Sequence, residues 1–380
     1  MSSTTAGPRS AARTGRLPNR LRSLLDAAVT PLTVDDLLDH FAPLRPGAAS
    51  GLKGRIEAVE AETADAATIV IKPGRDWAGH IPGQYVRVGI DVDGVRLWRT
   101  YSLTHGPRPD GRISITVKAI PGGAVSQYLV HQARVGQMLH LAQAEGDFVL
   151  APPRAEKQKL LMVTAGSGIT PVIGMLRNLY SRNESVARAA YDIVLVHSAM
   201  KRDEVIFGAE LRAHAEAGRL RLVERHTDTD GLLTTDDLEA EVPDLAERTA
   251  YACGPAGLLD TLEAFYDERR LTLHTERFRP TVVDVDAEGG TITFTGPSGA
   301  TVEADGSVPI LDAAESSGVL MPSGCRMGIC MGCVLPMTSG AVRDLRNGEL
   351  TVAVPGETDP GGVKIQTCIS AAAGDCQIDH

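Results

Sequence analysis

The chain has 380 residues, 43% of them hydrophobic and 23% charged, which excludes wholesale disorder and fibrous repeats and leaves room for two or three domains. Its net charge is −10. Residues 281–380 hold thirteen Asp/Glu and four Lys/Arg, a net −9, so phosphate would repel this segment and nucleic-acid binding is not expected. The same acidity suits a basic partner surface.

Residues 1–22 carry arginines and serines without an apolar core, so no secretory signal is expected, although an Arg/Ser-rich start can mimic an organellar transit peptide. No run approaches the ~20 apolar residues a membrane helix needs. Leu21, Leu24, Leu25 and Ala28 share one helical face, and Thr33 with Asp35 and Asp36 opens a second short helix. Residues 1–50 therefore read as a tail with short helices.

From residue 51 the period changes to two. Strands are expected over 67–72, 84–89, 95–103 and 113–118, separated by Gly, Pro and Asp turns, with one helix over 125–133. That spacing predicts an all-β barrel or sandwich over 51–155. Over 156–276 strands and helices alternate: strands at 160–164, 191–197, 220–224 and 250–253, and helices at 170–180, 204–217, 234–240 and 256–269. Apolar strands interleaved with helices predict a doubly wound parallel sheet. Over 281–380 strands return at 281–285, 291–295 and 301–303, with a helix at 310–317.

The sharpest signal is Cys325-x4-Cys330-x2-Cys333 with Cys368 beyond. Four thiolates around one small rhomb, three of them from a single loop, is the spacing a 2Fe–2S cluster needs. Glycines 324, 328 and 332 let the backbone turn its amides toward the sulfurs. A zinc site, which prefers paired C-x2-C, and unligated buried cysteines are the alternatives. The order of elements around the loop resembles the plant-type ferredoxin, a β-grasp fold; Cys376 lies outside the ligand spacing and reads as a core residue.

Arg99-Thr-Tyr101-Ser102 ends a strand, after Pro82-Gly83-Gln84-Tyr85 and before Val117-Lys118 and Gly122-Gly123-Ala-Val-Ser126. In this order the segments resemble the antiparallel FAD-binding β-barrel of the ferredoxin–NADP reductase superfamily. The resemblance implies that Arg99 holds flavin phosphate, Tyr101 stacks on the isoalloxazine and Ser102 bonds N5. It also gives Val117, Lys118, Gly122, Gly123 and Ser126 to the flavin, FAD being favoured over FMN. A helix N-terminus of this kind binds phosphate.

Gly166-Ser-Gly168-Ile-Thr170-Pro171, between a strand and a helix, and Cys253-Gly254-Pro255 at a later strand end resemble the superfamily's NAD(P)-binding motifs. By that resemblance Cys253 sits where nicotinamide C4 meets flavin N5. Ser198, Lys201 and Arg202 suit a 2′-phosphate, hence NADPH, with NADH as the alternative. Phe278, the aromatic nearest the 276–280 junction, is expected beside the flavin or the nicotinamide, or packed in the interdomain seam.

Together these segments resemble a reductase fused to a C-terminal plant-type ferredoxin, which feeds electrons to an oxygenase, hydroxylase or acyl desaturase. The resemblance to actinobacterial desaturase reductases extends into 31–44. Ser102 and Cys253 are the residues expected at the hydride-transfer step. A ring-hydroxylating oxygenase reductase using NADH is an alternative, and a redox sensor without turnover is another. The chain is expected to be cytoplasmic and monomeric, with at most peripheral contact with a membrane-bound partner.

Overall fold

A computed structural model describes residues 34–47, 51–92, 95–152, 156–278, 288–296, 299–324, 326–328, 331–356 and 361–380. The expected helix near Leu21 and the strand at 281–285 lie outside the described residues. A short helix α1 (Val34–Phe41) is followed by a turn docked on the next region, where the Arg75 amide donates to the Leu44 carbonyl at 3.2 Å.

Six antiparallel strands follow: β1 (Lys53–Thr63), β2 (Ala66–Pro73), β3 (Tyr85–Val92), β4 (Val95–Ser102), β5 (Ile113–Lys118) and β6 (Met138–Glu145). Their order is β4-β3-β6-β1-β2-β5, and the two edges meet through a bridge between Leu103 and Ile115. Closure removes the exposed edges and makes a barrel. Its interior is filled by branched residues such as Ile56, Ile69, Ile71, Val88 and Ile115. Sequence reading missed β1 and β6. In β1 the register shifts at Ile56/Ala58 and Ala61/Thr63, so bulges break the two-residue period that marks a strand. Helix α2 (Ala124–His131) crosses after β5.

The second sheet is entirely parallel: β7 (Gln158–Ala165), β8 (Tyr191–Ala199), β9 (Arg221–His226), β10 (Thr249–Cys253) and β11 (Leu273–Glu276), ordered β11-β10-β7-β8-β9. Helices α3 (Ile169–Arg182), α4 (Glu184–Ala190), α5 (Gly208–Glu216), α6 (Thr235–Glu241) and α7 (Ala256–Glu268) cover it. Alternate residues of β7 enter different cores. Leu160 and Met162 pack with Ile173 and Leu176 of α3, while Leu161 and Val163 pack with Leu238, Leu259 and Leu262 of α6 and α7. Helices therefore cover both faces, which is the doubly wound arrangement. The helix expected over 204–217 starts only at Gly208, because Phe207 adopts a left-handed conformation with φ +61°. Helix α6 carries a capping box from Thr234 and Asp237.

The C-terminal region is a mixed sheet of β12 (Gly290–Phe294), β13 (Thr301–Ala304), β14 (Val334–Asp344), β15 (Leu350–Ala353), β16 (Val363–Gln366), β17 (Ser370–Ala372) and β18 (Cys376–Ile378). β14 is the hub, pairing antiparallel with β15, β16, β17 and β18. β12 runs parallel to β18, and helix α8 (Ile310–Ser316) packs Ile310, Leu311 and Ala314 into the core. Among the described residues no helix is long and apolar enough to cross a membrane.

Candidate functional site

The chain leaves the central strand β7 toward β8 on one side and returns through β10 on the other. Such a reversal opens a crevice at the carboxyl ends of the strands, where ligands of parallel sheets bind. The turn Gly166–Gly168 lies there. Gly166 has φ +54° with no atom within 4 Å of the position a Cβ would take, so its backbone borders open space. Gly168 faces inward: a Cβ on it would lie 2.0 Å from the Cys253 carbonyl oxygen. The turn therefore packs directly on the end of β10, next to Gly254. Thr170 is buried and donates to the Ser167 carbonyl at 2.9 Å, closing the turn. Pro171 sits in the first turn of α3, where a missing N–H costs nothing. Pro255 occupies the N-cap of α7.

Near the carboxyl end of β8, the Ser198 hydroxyl is buried and finds no partner among the described residues. Ser198 is paired in register with Arg225 of β9. Arg225 reaches Asp237 at 3.3 Å. Lys201 and Arg202 are exposed on the following loop, and Arg202 lies 3.6 Å from Glu224. That carboxylate also takes Arg212 at 2.8 Å and His226 at 2.9 Å. His197 shares a 2.8 Å hydrogen bond between Nδ1 and the Thr164 hydroxyl, and burial lowers its pKa to about 4, which keeps the ring neutral.

Cys253 is fully buried, and burial pushes its thiol well above the usual range, so it is no thiolate nucleophile. Its in-register neighbour on β11 is Glu276, which sequence reading passed over. Burial, with the carboxylate of Asp147, raises Glu276 to about 7. A carboxyl that holds a proton near neutrality thus lies beside Cys253, at the junction with the barrel. Phe278 follows two residues later, with 37% of its surface exposed.

The barrel meets this crevice through the end of β4. A Cβ on Gly174 of α3 would lie 2.3 Å from the Leu103 carbonyl oxygen, and Arg177 of α3 donates to the Thr104 carbonyl at 3.0 Å. Ser102 is buried at that end, and Tyr101 is half-buried with its phenol pushed up by burial. Arg99 donates to the Trp98 carbonyl at 2.8 Å and to Ser323 Oγ at 2.9 Å. Val117 faces the barrel core, whereas Lys118 pairs with Asp65 at 3.2 Å and lies 3.9 Å from Glu204, close to the Lys201 loop. Gly122 and Gly123 lead into α2, whose N-terminus has no side-chain cap. Ser126 Oγ instead accepts from the Ile120 amide at 3.2 Å and donates to the Gly123 carbonyl at 3.1 Å, so it shapes that turn.

Of the four cysteines with cluster spacing, Cys325 and Cys330 lie outside the described residues. Cys333 and Cys368 are buried with sulfurs 3.2 Å apart, well beyond the ~2.05 Å of a disulfide. Thr367 holds them in register, its hydroxyl donating to the Cys333 carbonyl at 3.0 Å. Gln366 donates to the Gly328 carbonyl at 3.0 Å and steadies the loop. Adjacent buried thiols that are not disulfide-bonded fit a soft metal centre. The open space at Gly166, the orphaned Ser198 hydroxyl and the uncapped start of α2 likewise fit phosphate-bearing cofactors. Cys376 is buried in the core, as expected from its position outside the ligand spacing.

Three family models match the chain, one after another. An oxidoreductase FAD-binding domain matches residues 54–149, an oxidoreductase NAD-binding domain 162–263 and a 2Fe-2S iron-sulfur cluster binding domain 294–373. The chain is 42% identical over 366 residues to an NADPH oxidoreductase of Mycobacterium tuberculosis, covering 94% of this chain and 92% of that one. It is 30% identical over 332 residues to the glycine betaine monooxygenase reductase subunit of Pseudomonas aeruginosa, covering 79% and 87%. The phthalate dioxygenase reductase structure shares the fold at a TM-score of 0.57 and 21% identity, covering 87% of this chain and 99% of that one. FAD, a nicotinamide nucleotide and a 2Fe–2S cluster are its cofactors. The chain belongs to the ferredoxin–NADP reductase superfamily, among the reductases that carry a C-terminal plant-type ferredoxin domain.

Proposed function

We propose that the protein takes a hydride from NADPH and passes the electrons singly to a separate monooxygenase, hydroxylase or acyl desaturase, working as a cytoplasmic monomer. Residues 51–155 hold FAD, 156–276 the nucleotide and 281–380 the cluster. The cofactors supply the hydride and one-electron chemistry, and the chain binds and orients them. Arg99, Tyr101, Ser102, Val117, Lys118, Gly122, Gly123 and Ser126 form the flavin cradle. Gly166, Gly168, Thr170 and Pro171 shape the nucleotide pyrophosphate turn, and Cys253, Gly254, Pro255 and Phe278 border the nicotinamide. Cys325, Cys330, Cys333 and Cys368 hold the iron, and such thiolates suit a reducing compartment.

The observation that carries the choice of NADPH is the environment of Glu224. An acid at this position could take a ribose 2′-hydroxyl, but Arg212 and His226 already occupy it. The neighbouring Ser198 hydroxyl and the Lys201 and Arg202 cations then favour a 2′-phosphate. Replacing Lys201 and Arg202 together by Ala should raise the KM for NADPH more than about tenfold and leave that for NADH nearly unchanged. An unaltered ratio between the two nucleotides removes this assignment.

The acceptor reading is supported by relatives that serve monooxygenases, such as the glycine betaine enzyme's reductase subunit, and by the acidity of residues 281–380. Delivery to a purified oxygenase component should therefore slow steeply between about 0.05 and 0.5 M salt, as screening shortens the Debye length. A flat rate means that docking is apolar.

A further inference from the structure

We propose that Glu315 is the positioning residue that seats the cluster loop on the flavin strand. It lies in the last turn of α8, where an acid works against the helix dipole, so helix stability does not explain it. Its carboxylate accepts from Arg99 of β4 at 3.3 Å and also from Arg326 of the loop. Arg99 in turn donates to Ser323 Oγ, and Leu97 of β4 makes a parallel bridge with Ser323. One carboxylate therefore ties together the flavin barrel, α8 and the segment that brackets Cys325.

The three side chains are only 17%, 20% and 22% exposed for Arg99, Glu315 and Arg326. Charge-assisted hydrogen bonds sheltered in this way are stronger than exposed ion pairs. The site also joins two functions in one guanidinium, because Arg99 belongs to the proposed flavin cradle. Electron tunnelling falls exponentially with distance, so a seat that fixes the loop against β4 fixes the rate of the internal step. This inference rests on the reading that electrons pass from flavin to cluster.

The test uses the full chain with both cofactors and the Glu315→Gln variant, which keeps the side-chain shape and loses the charge. After mixing with NADPH, flavin bleaching should keep its rate, and the cluster-reduction phase should slow by about tenfold, the worth of one charge-assisted bond. Hydrogen exchange of the amides at 97–99 should become faster. Asp312→Asn removes the other carboxylate partner of Arg326 but spares Arg99, and should change neither measurement. The seat is overturned if Glu315→Gln alters neither the cluster phase nor the exchange, if Asp312→Asn slows the cluster phase equally, or if Glu315→Gln simply loses the cluster absorbance. Absence of cluster reduction in the unaltered protein would instead break the electron path, and the exchange comparison would still judge the seat.

Discussion

In the proposed assignment, the carboxyl ends of β7 and β10 offer backbone to a ligand, whereas Cys333 and Cys368 offer side chains. The crevice is shaped by Gly166, which borders open space, and by Gly168, which packs against the Cys253 carbonyl. The cluster site depends instead on sulfur atoms, with Thr367 and Gln366 holding the backbone behind them. A site made of backbone depends on volume, so one added methyl group can ruin it along with the fold around it. A site made of ligand atoms depends on their identity, so an isosteric change can remove the cofactor and spare the rest.

The sharpest way to break this comparison is Gly168→Ala. The new Cβ would lie 2.0 Å from the Cys253 oxygen and 2.5 Å from its carbon, both backbone atoms with little room to yield. Overpacking of this kind costs about 3 kcal/mol. Thermal unfolding should show that loss, and NADPH binding by titration should be abolished or severely weakened. A variant that keeps its Tm and its affinity would show that the turn does not need to sit on β10.

Cys333→Ser tests the other side. The hydroxyl is nearly isosteric, and the Thr367 bond to the residue 333 carbonyl is unaffected, so the sheet should persist. Cluster absorbance should vanish while flavin reduction by NADPH keeps its rate, because the proposed hydride transfer lies in the crevice and the barrel. Loss of flavin reduction in a folded Cys333→Ser protein would mean that the two sites are not separable.

Local patterns were readable from sequence and long-range neighbours were not. The Cys325–Cys333 spacing and the glycine turn before α3 each lie within a few residues, so spacing alone reports them. Strand β5 fell where alternation put it, at Ile113–Lys118. Strand β1 escaped because its bulges scramble the alternation, and β11 because four residues carry little pattern. Glu276 drew no attention because its neighbour Cys253 is brought to it only by parallel pairing of β10 and β11. The Arg99–Glu315 contact joins residues 216 apart in the chain, and no local rule anticipates it. Charge and a place just after β8 give Arg202 to a 2′-phosphate, whereas its position 3.6 Å from Glu224 depends on β9 lying beside β8.

Glu276 also gives the smallest and most specific test. It belongs to the backbone-built crevice, yet its own state changes with a proton near neutral pH. Burial and Asp147 raise its pKa from about 4.5 to about 7. The folded protein therefore holds this proton more tightly than the unfolded chain does. Its contribution is fully present below about pH 4.5 and is lost as pH rises through about 7. The full shift would be worth about 3 kcal/mol, and solvent screening at this half-buried carboxyl should leave a fall of about 1–2 kcal/mol between those limits. Paired carboxylates such as Glu184, lowered to about 2 by its arginine partners, add no slope there, because their contribution is lost only below about pH 4.5. Glu276→Gln, neutral at every pH, should flatten that part of the profile without changing cluster absorbance. Urea unfolding of both proteins from pH 5 to 8 measures the difference. If the two profiles run parallel across that window, the Glu276 carboxyl is not protonated in the folded crevice, and the neighbourhood of Cys253 is more polar than its burial implies.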